Sequence, residues 1–148
     1  MVFLYEPWEL DQILKDGIPF SLIQVPYNIF DRQFEPYFKQ LKEMGVEIHV
    51  RSTFLQGLFF KDRETLPEKL QPLKKYLIQL DEYAASKGIS VGDLALNYNL
   101  YNPYIDGVLI GVDNKEQLLQ NFASVKDIEI NLDIKVEELE LLKPVNWQ

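Results

Sequence analysis

The chain has 148 residues, no cysteine, and 15 basic against 23 acidic side chains, for a net charge of −8. Non-specific nucleic-acid binding rests on clustered Lys and Arg, disulfides and thiolate metal centres on Cys, and a membrane helix on about 20 unbroken apolar residues; none of these is present in the sequence. With 47% hydrophobic and 13% aromatic residues the chain is expected to bury a core, as one domain over residues 1–148 without a linker.

Taken in chain order, residues 2–5 form a short apolar run that ends at Glu6-Pro7, where Pro7 is preset for a first helical turn. Trp8, Ile13 and Leu14 suit one face of a helix that closes at Asp16-Gly17. Residues 20–25 read as a strand stopped by Pro26, which cannot donate to a ladder. Asp31 is the expected N-cap of a helix carrying Phe34, Tyr37, Phe38, Leu41 and Met44 and ended by Gly45. Residues 46–51 alternate apolar and polar, the period of a strand, with Glu47, His49 and Arg51 on one face.

Leu70, Leu73, Leu77, Leu80 and Ala84 predict a longer helix with its stop at Lys87-Gly88. Ser90 and Asp93 mark the start of another, running through Leu94, Ala95 and Tyr98 to Asn102-Pro103. Residues 107–111 read as a buried strand. Asp113 is expected to cap a helix bearing Leu118, Leu119 and Phe122, with Glu116 completing a capping box. A last helix is expected from about Asp133 to Pro144.

Strands and helices thus alternate, which predicts an α/β fold with right-handed crossovers and a parallel sheet covered by helices. Such sheets place ligands beyond the carboxyl ends of their strands. Those ends read Gln24-Val25-Pro26-Tyr27-Asn28, Arg51-Ser52-Thr53-Phe54-Leu55-Gln56-Gly57, and Ile110-Gly111-Val112-Asp113-Asn114. The last delivers Gly111 and its neighbours onto a helix start, where free N–H groups favour an anion.

At these strand ends the sequence resembles the aldo-keto reductase family, NAD(P)H-dependent enzymes on an eight-stranded (β/α) barrel. Gln24-Val25-Pro26-Tyr27-Asn28 with Phe30-Asp31-Arg32 is similar to the sixth barrel strand and its loop. Arg51 through Gly57 resembles the seventh strand and cofactor loop, and Gly111-Val112-Asp113-Asn114 with Gln117 and Asn121 the eighth strand and nucleotide-binding helix. The resemblance implies a parallel half-barrel of four strands, the C-terminal half of a TIM-barrel fold, because the run at residues 2–5 would be the fifth strand.

It also implies site residues. Gln24 would bond the nicotinamide carboxamide, and Arg51 would take the place of the family's stacking ring. Ser52 and the backbone of Phe54, Leu55, Gln56 and Gly57 would hold the pyrophosphate. Gly111, Val112, Asp113, Gln117 and Asn121 would surround the adenosine end, with Tyr27 towards the substrate. The implied cofactor is NADPH or NADH: Asp113 would repel a 2′-phosphate, and Lys115 is the one local cation. The family's catalytic Tyr, Asp, Lys and His come from earlier strands, so no catalytic residue carries over; His49, the single histidine, lies inside a strand, and no metal site is read.

A complete barrel has no edges, whereas a four-stranded half has two. A well-ordered protein is therefore expected to be a dimer, either with a second copy or with a chain carrying the complementary N-terminal half. The parent reaction would be hydride transfer between a nicotinamide and a carbonyl or alcohol. The isolated chain is expected to be inactive, and a non-catalytic nucleotide-binding or protein-interaction half-barrel is the alternative. The absence of cysteine and of a signal-like start makes the cytoplasm the expected compartment, with no membrane and no nucleic-acid partner.

Overall fold

A computed structural model describes residues 1–147 and is built on four parallel strands. These are β1 (Val2–Phe3), β2 (Leu22–Pro26), β3 (Glu47–Arg51) and β4 (Gly107–Val108), hydrogen-bonded in the order β1-β2-β3-β4. Helices α1 (Pro7–Lys15), α2 (Phe38–Glu43), α3 (Lys74–Lys87), α4 (Val91–Leu100) and α5 (Lys115–Ala123) fill the crossovers and follow the last strand. The expected alternation of strands and helices is thus present.

The register shows how alternation divides the sheet into two faces. Ile23 pairs with Val2 and Ile48, and Val50 with Val25 and Val108. This set packs on Leu10, Phe34, Phe38 and Leu41 in a continuous core. The intervening row, Phe3, Gln24, His49 and Gly107, lies on the other face. On that face Phe3 is 51% exposed, and Gln24, His49 and Gly107 are half-buried. A second core, around Leu55, Leu58, Phe59, Leu73, Leu77, Leu80 and Leu94, packs the loop after β3 against α3 and α4.

Several local expectations are corrected. The strands are shorter than read: β1 stops at Phe3 and β4 at Val108, although the N–H of Leu109 still donates to the Val50 carbonyl at 2.8 Å. Asp31 caps nothing. Its carboxylate accepts from Gln33, and a 3₁₀ turn (Glu35–Tyr37) precedes α2. The helix read from Leu70 begins as a 3₁₀ segment (Glu68–Leu73), because Pro72 has no N–H to give the ladder, and becomes α-helical at Lys74. Asn114, not Asp113, caps α5: its Oδ1 accepts from the N–H of Gln117 at 2.9 Å, and the Gln117 Oε1 accepts from the N–H of Asp113 at 2.7 Å.

The expected last helix is an extended arm followed by two 3₁₀ turns, Leu139–Leu142 and Pro144–Trp147. Ile130, Leu132, Ile134 and Val136 alternate with Asn131, Asp133 and Lys135, and the apolar set packs on the second core. Arg32 fixes the arm through a 2.6 Å contact from Nη2 to Asp133. Trp8, read with Ile13 and Leu14 on one face of the first helix, and Phe122, read on the helix after the last strand, are 65% and 70% exposed; α1 buries Leu10, and α5 buries no residue. Met44 is also exposed, at the end of α2.

Candidate functional site

The loop that leaves β3 is the least ordinary backbone in the chain. Ser52, Leu55 and Gln56 have φ of 64°, 45° and 51°, and Gly57 follows at 77°. They are the non-glycine residues with positive φ among the described residues. Each such residue costs about 1 kcal/mol or more, and clusters of them mark backbone shaped for contact rather than for stability.

Two buried asparagines hold this loop in place. Asn28, at the end of β2, donates from Nδ2 to the Ser52 carbonyl at 3.0 Å, while its Oδ1 accepts from the N–H groups of Phe30 and Asp31. Asn99, on α4, donates from Nδ2 to the carbonyl of Tyr27 and to Thr53 Oγ1, each at 3.1 Å. Its Oδ1 is buried with no partner among the described residues. Asn28 closes a strand-end motif read from the sequence but was given no role there, and Asn99 belongs to no such motif. The available signal was a polar residue set among Val25, Tyr27, Ile29 and Leu96, where burial demands a partner.

Three clefts run side by side along the rim formed by the strand ends. The first, about 410 Å³, is lined by Tyr5, Arg51, Ser52, Leu55, Gln56 and the C-terminal segment around Leu142 and Lys143. The second, about 400 Å³, lies between Ser52, Thr53, Phe54, Gly57 and the β4 end at Ile110 and Gly111. The third, about 490 Å³, continues from Phe54 and Gly57 to Asp113, Gln117 and Asn121. Shared lining residues (Ser52 and Gln56, then Phe54, Gly57, Gly111 and Asp113) join them end to end.

The residues expected to hold a pyrophosphate and those expected around adenosine therefore come together. Arg51 stands at the other end. Its guanidinium carbon is 4.4 Å from the Tyr5 ring centroid, and its Nη2 donates to the Leu4 carbonyl at 3.1 Å. Gln24 and Val112 line none of these three clefts. Gln24 sits on the open face beside His49, two residues below the strand end, and Val112 is largely exposed.

Tyr27 departs from its expected place at the substrate. Its side chain is fully buried on the helix side, against Phe38 and Tyr98, with the hydroxyl donating to Glu35 at 3.1 Å and accepting from Asn102 at 3.2 Å. Burial and the nearby Tyr98 and Glu35 push its pKa far above the usual phenol range, so it stays protonated. The alternation of β2 turns Pro26 to the rim and Tyr27 away from it.

The donors in the clefts suit a phosphate-bearing ligand. The N–H groups of Thr53, Phe54 and Gln56 donate to nothing among the described residues, and they border the second and third clefts. The first turn of α5 offers further free N–H groups at the positive end of the helix. His49 is apart from the rim, its Nε2 3.6 Å from Glu47, and no group of three His, Cys, Asp or Glu side chains converges as a metal site among the described residues.

Comparison with known proteins gives this arrangement its family. The family model described as "Aldo/keto reductase family" matches residues 4–137. The chain belongs to the aldo/keto reductase family. A curated relative, L-galactose dehydrogenase of Arabidopsis thaliana, is 29% identical over 143 residues, covering 92% of this chain and 44% of that protein. Among solved structures, the holo form of aldo-keto reductase AKR11C1 from Bacillus halodurans superposes with a TM-score of 0.65 at 24% identity, covering 95% of this chain and 47% of that one. The glycerol dehydrogenase AKR11B4 from Gluconobacter oxydans gives a TM-score of 0.64 at 18% identity, covering 95% and 46%. The chain thus spans about half the length of the aldo/keto reductases it matches, which are TIM barrels. The parallel α/β class and the family read from the strand ends agree with these findings.

Proposed function

We propose that this chain is the cofactor-carrying half of an NAD(P)H-dependent aldo/keto reductase, equivalent to the last four strands of the barrel. The observation that carries the reading is the joining of residues 52–57 and the Gly111–Asn121 region along one rim, with three left-handed non-glycine residues in the loop between. A nicotinamide dinucleotide supplies the hydride when bound. The chain's own part is to hold it: free amides of the loop and of α5 on the pyrophosphate, Asn121 and Gln117 at the adenosine end, and Arg51 at the nicotinamide end. Neither Tyr27, which is buried, nor His49, which lies within β3, lines these clefts to give a proton to a carbonyl oxygen.

Hydride transfer then needs the groups that the barrel's first four strands carry. The open face and the two free edges, β1 with Phe3 and β4 with Leu109, support a partner that completes the sheet. Leu118 and Phe122 on α5, with Val108 and Ile110, line an apolar cleft at the β4 edge. A chain carrying the first four strands would add the proton donor as well as the missing wall. A second copy would close the ring without adding chemistry.

The test is complementation. The chain alone, and the chain mixed with the first-four-strand half of a family member, are assayed for dinucleotide oxidation with an aldehyde. The expected result is no turnover alone, turnover on mixing, and a mixed species with the mass of one copy of each. Turnover by the chain alone overturns the proposal; so does a mixture that neither associates nor turns over.

A further inference from the structure

The chain has three arginines, and two of them hold carboxylates: Arg32 pairs with Asp133 and Arg63 with Asp81. Arg51, half-buried at the end of β3, makes no ion pair among the described residues. Its guanidinium lies over the Tyr5 ring and Nη2 donates to the Leu4 carbonyl, which fixes the group, while Nε and Nη1 donate to nothing among the described residues. Arg51 lines the first cleft, whose apolar wall is built from Tyr5, Pro26, Leu55, Leu142, Pro144 and Val145. The other charged groups of that cleft are already met. Glu6 pairs with Lys143 at 2.9 Å. The Asp31 carboxyl accepts from Gln33, and burial raises its pKa, which favours the uncharged form. An unpaired, half-buried guanidinium in a chain of net charge −8 has lost part of its hydration, and a ligand anion restores what was lost.

We infer that the first cleft receives a carbonyl substrate that also bears a carboxylate: an oxo acid with a compact apolar body, its carboxylate on Arg51 and its body against Leu55, Leu142 and Val145. The carbonyl comes from the reductase reading above, on which the inference rests, and the acid comes from Arg51. A guanidinium presents a planar fork of N–H donors that matches a carboxylate, and the fork is already oriented by Tyr5 and Leu4. A volume of about 410 Å³ admits a small molecule. The phosphates of a dinucleotide have donors of their own elsewhere, because the free amides of Thr53 and Phe54 line the second cleft and not the first. Under the same reading Arg51 stands at the nicotinamide end, so an acid anchored there is kept beside the hydride donor.

All the residues of this cleft lie within the chain, so the test uses the intact chain and two probes of one shape that differ in charge. The keto acid para-acetylbenzoate and its neutral amide, para-acetylbenzamide, are titrated into the chain, with the backbone amide shifts of Arg51, Leu55, Leu142 and Val145 followed by NMR. The acid is expected to bind about tenfold more tightly, with the gap shrinking as salt rises. Arg51→Gln should bring the two within about twofold, while Arg51→Lys should keep part of the gap, since the charge remains and the fork is lost. Amide dispersion matching the parent verifies that each variant is folded. Equal binding of acid and amide by the parent chain, or a gap that survives Arg51→Gln, overturns the proposal while leaving the dinucleotide reading intact. Inorganic pyrophosphate is titrated alongside and is expected to shift Thr53 and Phe54 without displacing the acid. Displacement of the acid assigns Arg51 to the cofactor's phosphates and overturns the proposal. Pyrophosphate that leaves Thr53 and Phe54 unmoved counts against the dinucleotide reading, and an acid preference that depends on Arg51 then still supports the carboxylate site.

Discussion

The amide of Asn28 reaches across from the end of β2 to the carbonyl of Ser52 at 3.0 Å, and the same side chain receives two N–H groups of its own turn. One buried residue thus ties the exit of one strand to the left-handed start of the loop on the next. The backbone of Ser52 is strained by itself, and the contact shows where part of the compensation comes from.

Replacing Asn28 by Ala strands two buried N–H donors and frees Ser52. A loss of about 2 to 3 kcal/mol is expected from urea unfolding. Dinucleotide affinity should fall beyond what the lost stability explains, because the loop amides lose their placement. An unfolding midpoint within experimental scatter of the parent would refute the clamp.

Gly107 is required by its neighbour. A Cβ there would lie 2.9 Å from Cδ2 and 3.1 Å from Cγ of the His49 ring. Gly107→Ala is expected to cost about 1 kcal/mol or more through overpacking. The same substitution in a His49→Ala background should cost much less, since the obstructing ring is gone. A double-mutant cycle with no coupling between the two sites contradicts the contact.

Asp31 is buried beside the first cleft, and burial raises its pKa above the usual carboxylate range, against the smaller opposing effect of its Gln33 hydrogen bonds. The sign follows: a carboxyl whose folded pKa exceeds its unfolded one penalises folding when ionised. The penalty is fully present above the folded pKa and disappears as pH falls below the unfolded one. Asp31→Asn keeps an oxygen for Gln33 and removes the charge, so it should stabilise the chain at neutral pH. Unfolding curves of the two proteins should converge in acid. A variant less stable than the parent at neutrality, or equal to it at every pH, would count against the burial argument.

Phe122 is 70% exposed on a helix that buries nothing, so Phe122→Ser should change the stability of the isolated chain by less than about 0.5 kcal/mol. Its expected effect is on association: light scattering of the chain mixed with a first-four-strand half should show a weakened complex. Undiminished association would place the partner elsewhere.

The sheet was legible because alternation and proline stops act locally: Glu47, His49 and Arg51 announce a face, and Pro26 an end. The rim was legible at residues 52–57 and 111–121 because a resemblance tied them together. Tyr27 was misplaced because proximity to a strand end does not say which way a side chain turns, and the pleat turns it inward. The clamps at Asn28 and Asn99 were missed because their partners lie 24 and 46 or more residues away, beyond any local pattern. In the region after α5, the end signals at Asp133 and Pro144 suggested a helix. The alternating branched residues from Ile128 to Val136 carried the opposite message, and packing followed them.

That alternating segment also bears on the order of folding. Its fastening to Arg32 joins residues 101 apart in sequence, whereas the helices beneath it close over much shorter spans. Closing the longest loops costs the most chain entropy and is rewarded only once the surface to be gripped already exists. The segment is thus a late belt, drawn round a body that must first assemble without it, and its release is the earliest step by which that body comes undone.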